Sequence, residues 1–202
     1  MNTHHPELQP ADPAGALNGS PFCKKIRSGL YVDLANPQAS MINLEDIAYA
    51  LTNQCRYSGN VPFYSVAEHS IIAAELALQD GCSNEQVKAV LLHDANEAFL
   101  GDTSRPMKLY MRSLGVTAID EMSAAWDKAI GERFCVDIES NHQLIKHYDN
   151  ISLKAEKKRF WPYDKEEWLC LSDVPDRDVN WRMIPPDEGL WFLTAAWFSG
   201  LR

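Results

Sequence analysis

The stretch Ala89-Val-Leu-Leu-His-Asp-Ala-Asn-Glu-Ala-Phe-Leu-Gly-Asp-Thr-Ser-Arg-Pro-Met-Lys108 decides how the rest of the chain is read. It opens as an apolar helix. It then sets His93 beside Asp94, Glu97 three residues on, and Asp102 after a glycine; Arg105, Pro106 and Lys108 close it with a turn and two cations. Packing does not require these groups. Asp is a poor helix former, and acids on a largely buried helix need a cation or hydrogen-bonding partners. The stretch reads as part of a metal site whose other ligands lie elsewhere in the chain.

The flanking sequence reads as helices. Ser83-Asn-Glu-Gln86 is a capping box that opens the helix carrying the central stretch. Ser65-Val-Ala-Glu68 fits a second box, with Glu68 as the capping partner of Ser65 and His69 in the first turn of the helix. Asn43 predicts an N-cap for a helix reaching about residue 56, and Gly59, Asn60 and Pro62 predict the loop after it. Pro106 starts a short helix. Ile119, Met122, Trp126 and Ile130 share one face of a helix over about 118–134, and Leu144, Ile145, Ile151 and Leu153 mark another over about 141–161. Acidic, proline-bearing loops cover 162–187, and a last helix, with Trp191, Trp197 and Phe198 as core or dimer contacts, runs over about 188–198. Only residues 27–34 read as a turn and a short strand. The expected fold is all-α, with at most a peripheral strand or hairpin near residues 30–34.

A chain of 202 residues, 46% of them hydrophobic, suits one domain with a sizeable core. We expect that domain over 23–202, after a mobile tail over 1–22 that carries Pro6, Pro10, Pro13 and Pro21. The histidines of that tail, His4 and His5, carry no expected metal role. A net charge of −9 argues against a nucleic-acid duplex as partner but leaves room for a local basic pocket that takes a small anion. Five scattered cysteines without a C-x-x-C spacing read as reduced thiols. No apolar run is long enough to span a bilayer and no signal peptide is visible, so the expectation is a soluble cytoplasmic protein.

His93 and Asp94 are adjacent, so on a helix they point about 100° apart and cannot close a site alone. His69 is a candidate ligand upstream. Asp149 is a candidate downstream, in the middle of a helix whose apolar face needs no acid. Two histidines and two aspartates suit a borderline divalent cation, Mn, Co, Fe, Ni or Zn, and leave positions for water.

With this pattern the chain resembles the HD-domain metal-dependent phosphohydrolases. The resemblance rests on the order His69, His93-Asp94, Asp149, on Ala67-Glu-His-Ser70, Leu91-Leu-His-Asp-Ala-Asn-Glu97, Gly101-Asp102, Pro106 and Lys108, and on Glu156 seven residues after Asp149. It covers about residues 27–160 and points to the nucleotidase branch, which includes bacterial 5′-deoxynucleotidases and phage dATP triphosphohydrolases. It implies an HD-domain helical fold and one divalent ion held by His69, His93, Asp94 and Asp149. It implies Glu97 as the catalytic acid, Asp102 as a second acid near the reacting phosphate, Arg56-Tyr57 as an Arg-aromatic pair lining the nucleotide pocket, and Lys108 in phosphate contact. It also implies a homodimer or higher oligomer, in the cytoplasm of a bacterium or of a phage-infected host. Ala98 after Glu97 departs from the His-Asp-x-x-Glu-Asp of guanosine tetraphosphate hydrolases and counts against that activity. His142 and His147 lack the spacing that a two-metal branch needs.

Each residue also has a plainer reading. Glu97 reads as a surface helix acid, Asp102 as an N-cap, Arg56 as a helix C-terminal cation, Glu156 as an ion-pair partner or as support for a ligand, and Lys154, Lys157, Lys158 and Arg159 as a solvated face. The expected function is metal-dependent hydrolysis of a deoxynucleotide to the nucleoside. Arg105 and Lys108, with Lys154 and Arg27, offer more donors than one phosphate needs, and they tilt the reading toward release of triphosphate from dNTPs, dATP first. A 5′-deoxynucleotidase acting on dNMPs is the alternative. A non-catalytic nucleotide sensor is the alternative of another class; its mark would be a lost ligand or a lost Glu97, and neither is lost.

Overall fold

The computed structural model describes residues 20–182, 189, 192–196 and 199–200. It is mostly helical, with one small antiparallel hairpin of β1 (Cys23–Lys25) and β2 (Tyr31–Asp33), in which Lys24 lies opposite Val32. Seven α-helices follow: α1 (Leu44–Thr52), α2 (Val66–Gln79), α3 (Asn84–Leu91), α4 (Glu97–Leu100), α5 (Arg105–Ser113), α6 (Ala118–Phe134) and α7 (His142–Phe160). Gly189 and residues 192–196 are also helical, with Phe192 and Ala196 buried. The tail expected over 1–22 lies mostly outside the described residues, as do Trp191, Trp197 and Phe198. Among the described residues no helix is long and apolar enough to cross a membrane.

Local hydrogen bonds set the helix starts. Asn43 accepts from the Asp46 N–H at 2.8 Å, Ser65 from the Glu68 N–H at 3.0 Å, and Ser83 forms a full capping box with Gln86. Glu68 has a longer reach than the capping role expected of it: its carboxylate accepts from the Arg182 N–H at 2.6 Å. The first helix stops at Thr52, short of residue 56. Its next backbone groups are engaged across a loop, with the Arg56 N–H on the Tyr64 carbonyl at 2.8 Å and the Val66 N–H on the Gln54 carbonyl at 3.0 Å.

The centre of the fold is α2. Ile71, Ile72, Leu76 and its alanines are buried together with His69, which makes it a helix enclosed on nearly all sides, as expected when apolar groups cover its whole circumference. It packs between α3 and α7. The indole of Trp126 on α6 stacks on Phe99 of α4 at 4.0 Å and donates to the Leu34 carbonyl at 3.4 Å, joining two helices to the hairpin; such a ring pair contributes about 1 kcal/mol beyond its buried area. Gly131 lets α6 turn sharply at its end, since a Cβ there would lie 2.6 Å from the Val136 carbonyl oxygen.

Two expectations need correction. The central stretch is not one helix: α3 ends at Leu91, residues 92–96 form successive tight turns, and α4 begins at Glu97. The Val90 carbonyl, which a continued helix would offer to the Asp94 N–H, instead receives the His93 N–H at 3.4 Å and the His93 ring at 2.7 Å. The basic run of α7 is a solvated face only in part: Lys158 and Arg159 are exposed, whereas Lys154 and Lys157 are half-buried. Lys154 donates to the Val174 carbonyl at 2.5 Å, Lys157 to that of Glu166 at 2.6 Å, Lys158 pairs with Asp176 at 3.4 Å, and Arg159 lies 4.8 Å over the Trp181 ring. These bonds strap the acidic segment after α7 back along that helix.

Candidate metal centre

Each histidine of the pattern is anchored through Nδ1, so its Nε2 points inward. His69 Nδ1 lies 2.5 Å from Glu156 Oε1, and His93 Nδ1 lies 2.7 Å from the Val90 carbonyl oxygen. Both partners only accept, so each Nδ1 carries a proton, and in the neutral ring Nε2 is the nitrogen that offers a lone pair. The two Nε2 atoms are 3.2 Å apart. Asp149 Oδ1 is 3.3 Å from His69 Nε2, and Asp94 Oδ2 is 3.2 Å from His93 Nε2 and 3.7 Å from His69 Nε2. Donor atoms of His69, His93 and Asp149 all fall within 4.8 Å of one another. Two helices and one tight turn thus bring two imidazole nitrogens and the Asp149 carboxylate together, with Asp94 Oδ2 against both nitrogens. That donor set fits a borderline divalent cation.

The charges around this point are tightly balanced. Burial and the Arg56 cation push the His69 imidazole down, but Glu156 and Asp149 outweigh them and raise its pKa to about 9. Burial works against ionised Asp94 and Asp149, yet the neighbouring histidines hold both carboxyls below the usual range. Arg56 lies against the same group, with Nη1 3.4 Å from Asp94 Oδ2 and Nε 3.5 Å from Glu156 Oε2. Burial raises Glu97 well above an ordinary glutamate, helped by the negative charges of Asp94 and Asp102, and its Oε2 has no hydrogen-bond partner. Glu97 is therefore not the surface acid of the plainer reading. Asp102 is also raised by burial, and Lys108 opposes the rise in both acids.

The structure thus gathers His69, His93, Asp94, Asp149, Arg56 and Glu97, with Asp102 and Lys108 close enough for their charges to be felt there. Tyr57 joins the group through its hydroxyl, which donates to Glu156 Oε2. Arg105 is exposed at the start of α5. Two cations expected to serve phosphate are engaged elsewhere: Arg27 stacks on the Tyr49 ring at 4.4 Å, and Lys154 holds the Val174 carbonyl.

Sequence reasoning missed Asp127. Its Oδ1 accepts from the Asn96 side chain at 2.6 Å, next to the turn that carries His93 and Asp94. Its only signal in the sequence is its place beside Trp126 on a helix with a buried face. Burial raises its pKa from 3.8 to about 6, against the opposing pull of the Asn96 hydrogen bond. A folded-state pKa raised this way favours folding below pH 4 and loses that contribution as pH rises through 6. Asp127→Asn keeps an acceptor for Asn96 and removes the buried charge. In chelator-treated protein at pH 8 it is expected to stabilise the fold by up to about 3 kcal/mol, from about 1.4 kcal/mol per pKa unit, and to be neutral near pH 4. Urea unfolding at the two pH values measures both.

No family model matches the chain. The uncharacterized protein RCAP_rcc00048 of Rhodobacter capsulatus is 30% identical over 174 residues, which cover 82% of this chain and 88% of that protein. The uncharacterized protein YfdR of Escherichia coli K12 is 30% identical over 160 residues, 79% of this chain and 82% of that protein. With such identity over most of both lengths, the chain belongs to the protein family that RCAP_rcc00048 and YfdR represent.

Proposed function

We propose that this protein is a divalent-metal-dependent phosphohydrolase of the HD type, acting on deoxynucleotides and releasing the nucleoside. The observation that carries the proposal is the meeting of His69 Nε2, His93 Nε2 and the Asp149 carboxylate, with Asp94 Oδ2 against both nitrogens, beside the buried Glu97, whose Oε2 has no hydrogen-bond partner. A divalent cation bound there would neutralise charge on a phosphoryl oxygen and acidify water. Arg56 stands at the edge of the cluster and offsets phosphate charge with the guanidinium hydrogens that Asp94 and Glu156 leave available. Glu97, whose hold on its proton burial strengthens, gives that proton to the leaving 5′-oxygen. Asp102, partly buried under the charge of Lys108, orients the attacking water.

The cations bear on the number of phosphates. Arg27 and Lys154 are engaged away from the cluster and Arg105 is exposed at the start of α5, which leaves Arg56 and Lys108 as the candidate cations whose charges reach it. That supply balances the two charges of a monophosphate better than the four of a triphosphate, which favours the 5′-deoxynucleotidase reading over the triphosphohydrolase. The test is a panel of mono-, di- and triphosphates of ribo- and deoxynucleosides, assayed with Mn, Co, Fe, Ni and Zn and with products identified. Orthophosphate from dNMPs is expected. Inorganic triphosphate from dATP would restore the triphosphohydrolase, and metal-dependent nucleotide binding without turnover would replace both with a sensor.

A further inference from the structure

We propose that Glu156 is a positioning residue that couples cation binding at His69 to the conformation of the 55–60 loop carrying Arg56 and Tyr57. The inference rests on the metal reading above and deepens it. Glu156 is fully buried, and each of its carboxylate oxygens faces a different part of the site. Oε1 receives the His69 ring at 2.5 Å and the Tyr64 hydroxyl at 2.9 Å. Oε2 receives the Tyr57 hydroxyl and lies 3.5 Å from Arg56 Nε. One carboxylate thus fixes the tautomer and ring plane of a ligand on one side and grips the loop on the other.

The loop needs that grip. Tyr57 and Ser58 both take left-handed backbone conformations, with φ of 57° and 52°, which residues other than glycine adopt only under strain. The Cys55–Ser65 bridge pins the first residue of the loop to the N-cap of α2. Inside it, Tyr57 is held edge-on to Trp161 at 5.1 Å and by its hydroxyl on Glu156. A cation on His69 Nε2 stabilises the ring orientation in which Nδ1–H meets Oε1. That holds the carboxylate where Oε2 meets Tyr57. By linkage the reverse follows, and a loop held in this conformation binds the cation more tightly.

The test uses nucleotide-free protein, so that no phosphate bridges the two regions. Co²⁺ affinity is measured by equilibrium dialysis for wild type, Glu156→Gln and Tyr57→Phe, and amide exchange over 55–60 is followed with and without Co²⁺. Glu156→Gln is expected to weaken Co²⁺ binding about 10- to 100-fold. Tyr57→Phe removes one hydroxyl, touches no ligand and carries the test if Glu156→Gln does not fold. It is expected to weaken Co²⁺ binding several-fold, and Co²⁺ is expected to slow exchange at 55–60 in wild type but not in this variant. Unchanged affinity in Tyr57→Phe, or a loop whose exchange ignores Co²⁺, overturns the coupling and leaves the metal centre standing. A wild type that binds none of the metals overturns the metal reading itself.

Discussion

His93→Ala is expected to abolish divalent-cation binding and, with it, phosphate release. His93 supplies one of two nitrogen donors, and its Nε2 lies 3.2 Å from both its counterpart on His69 and the Asp94 carboxylate. Alanine leaves one imidazole and two carboxylates, of which Asp94 is already drawn toward Arg56 and Asp149 toward Lys146. The fold should survive. The side chain sits on a tight turn, and its one structural bond, to the Val90 carbonyl, is worth about 1 kcal/mol. What is lost is the stabilisation by bound metal, about 2.7 kcal/mol when the cation is present at a hundred times its Kd. A chelator should therefore lower the melting temperature of wild type and leave that of His93→Ala unchanged. Wild-type turnover in His93→Ala, with the cation still bound, would remove His93 from the centre.

Glu97→Ala is expected to slow hydrolysis by about 10²-fold or more while the metal stays bound. Glu97 begins α4, two residues beyond the Ala95 that follows the His-Asp pair, and it is buried with Oε2 unpartnered. No hydrogen bond joins its carboxyl to a metal-ligating residue among those described, so its loss leaves the donor set intact. Its buried carboxyl, crowded by Asp94 and Asp102, costs stability when ionised, so the variant should be no less stable than wild type at high pH. As a general acid, Glu97 must be protonated. The rate of wild type is then expected to fall as pH rises through its elevated pKa, and that limb should vanish in Glu97→Gln. Unchanged kcat in Glu97→Ala would move the proton-transfer role to Asp102.

The parts of the site that were legible in the sequence are those with a chemical or local signature. His69, His93, Asp94 and Asp149 stand out because packing has no use for them, and the structure gathers His69, His93 and Asp149, with Asp94 against both imidazoles. Glu97 was legible as an acid within a helical turn of His93. Its burial was not, because the chain leaves the helix at Leu91 and re-enters at Glu97. Glu156 was legible as an acid on the face of Asp149. The four groups that meet it come from α2 and from the loop ahead of it, and nothing in residue order announces them.

By itself the sequence determined the helical class, the starts of α1, α2 and α3, and the chemistry of the donor set. Caps at Asn43, Ser65 and Ser83 close hydrogen bonds within three residues, so their energetics are already present in a short peptide. Tertiary structure alone decided where the cations went and where the acids were buried. Lys154 looked free in the sequence because its partner, the Val174 carbonyl, lies 20 residues away on the returning segment. Asp127 looked ordinary because Asn96 lies 31 residues before it. Partners that far apart meet only after the apolar faces of the helices have packed, and that packing sets both the distances and the local dielectric on which a carboxylate's charge depends.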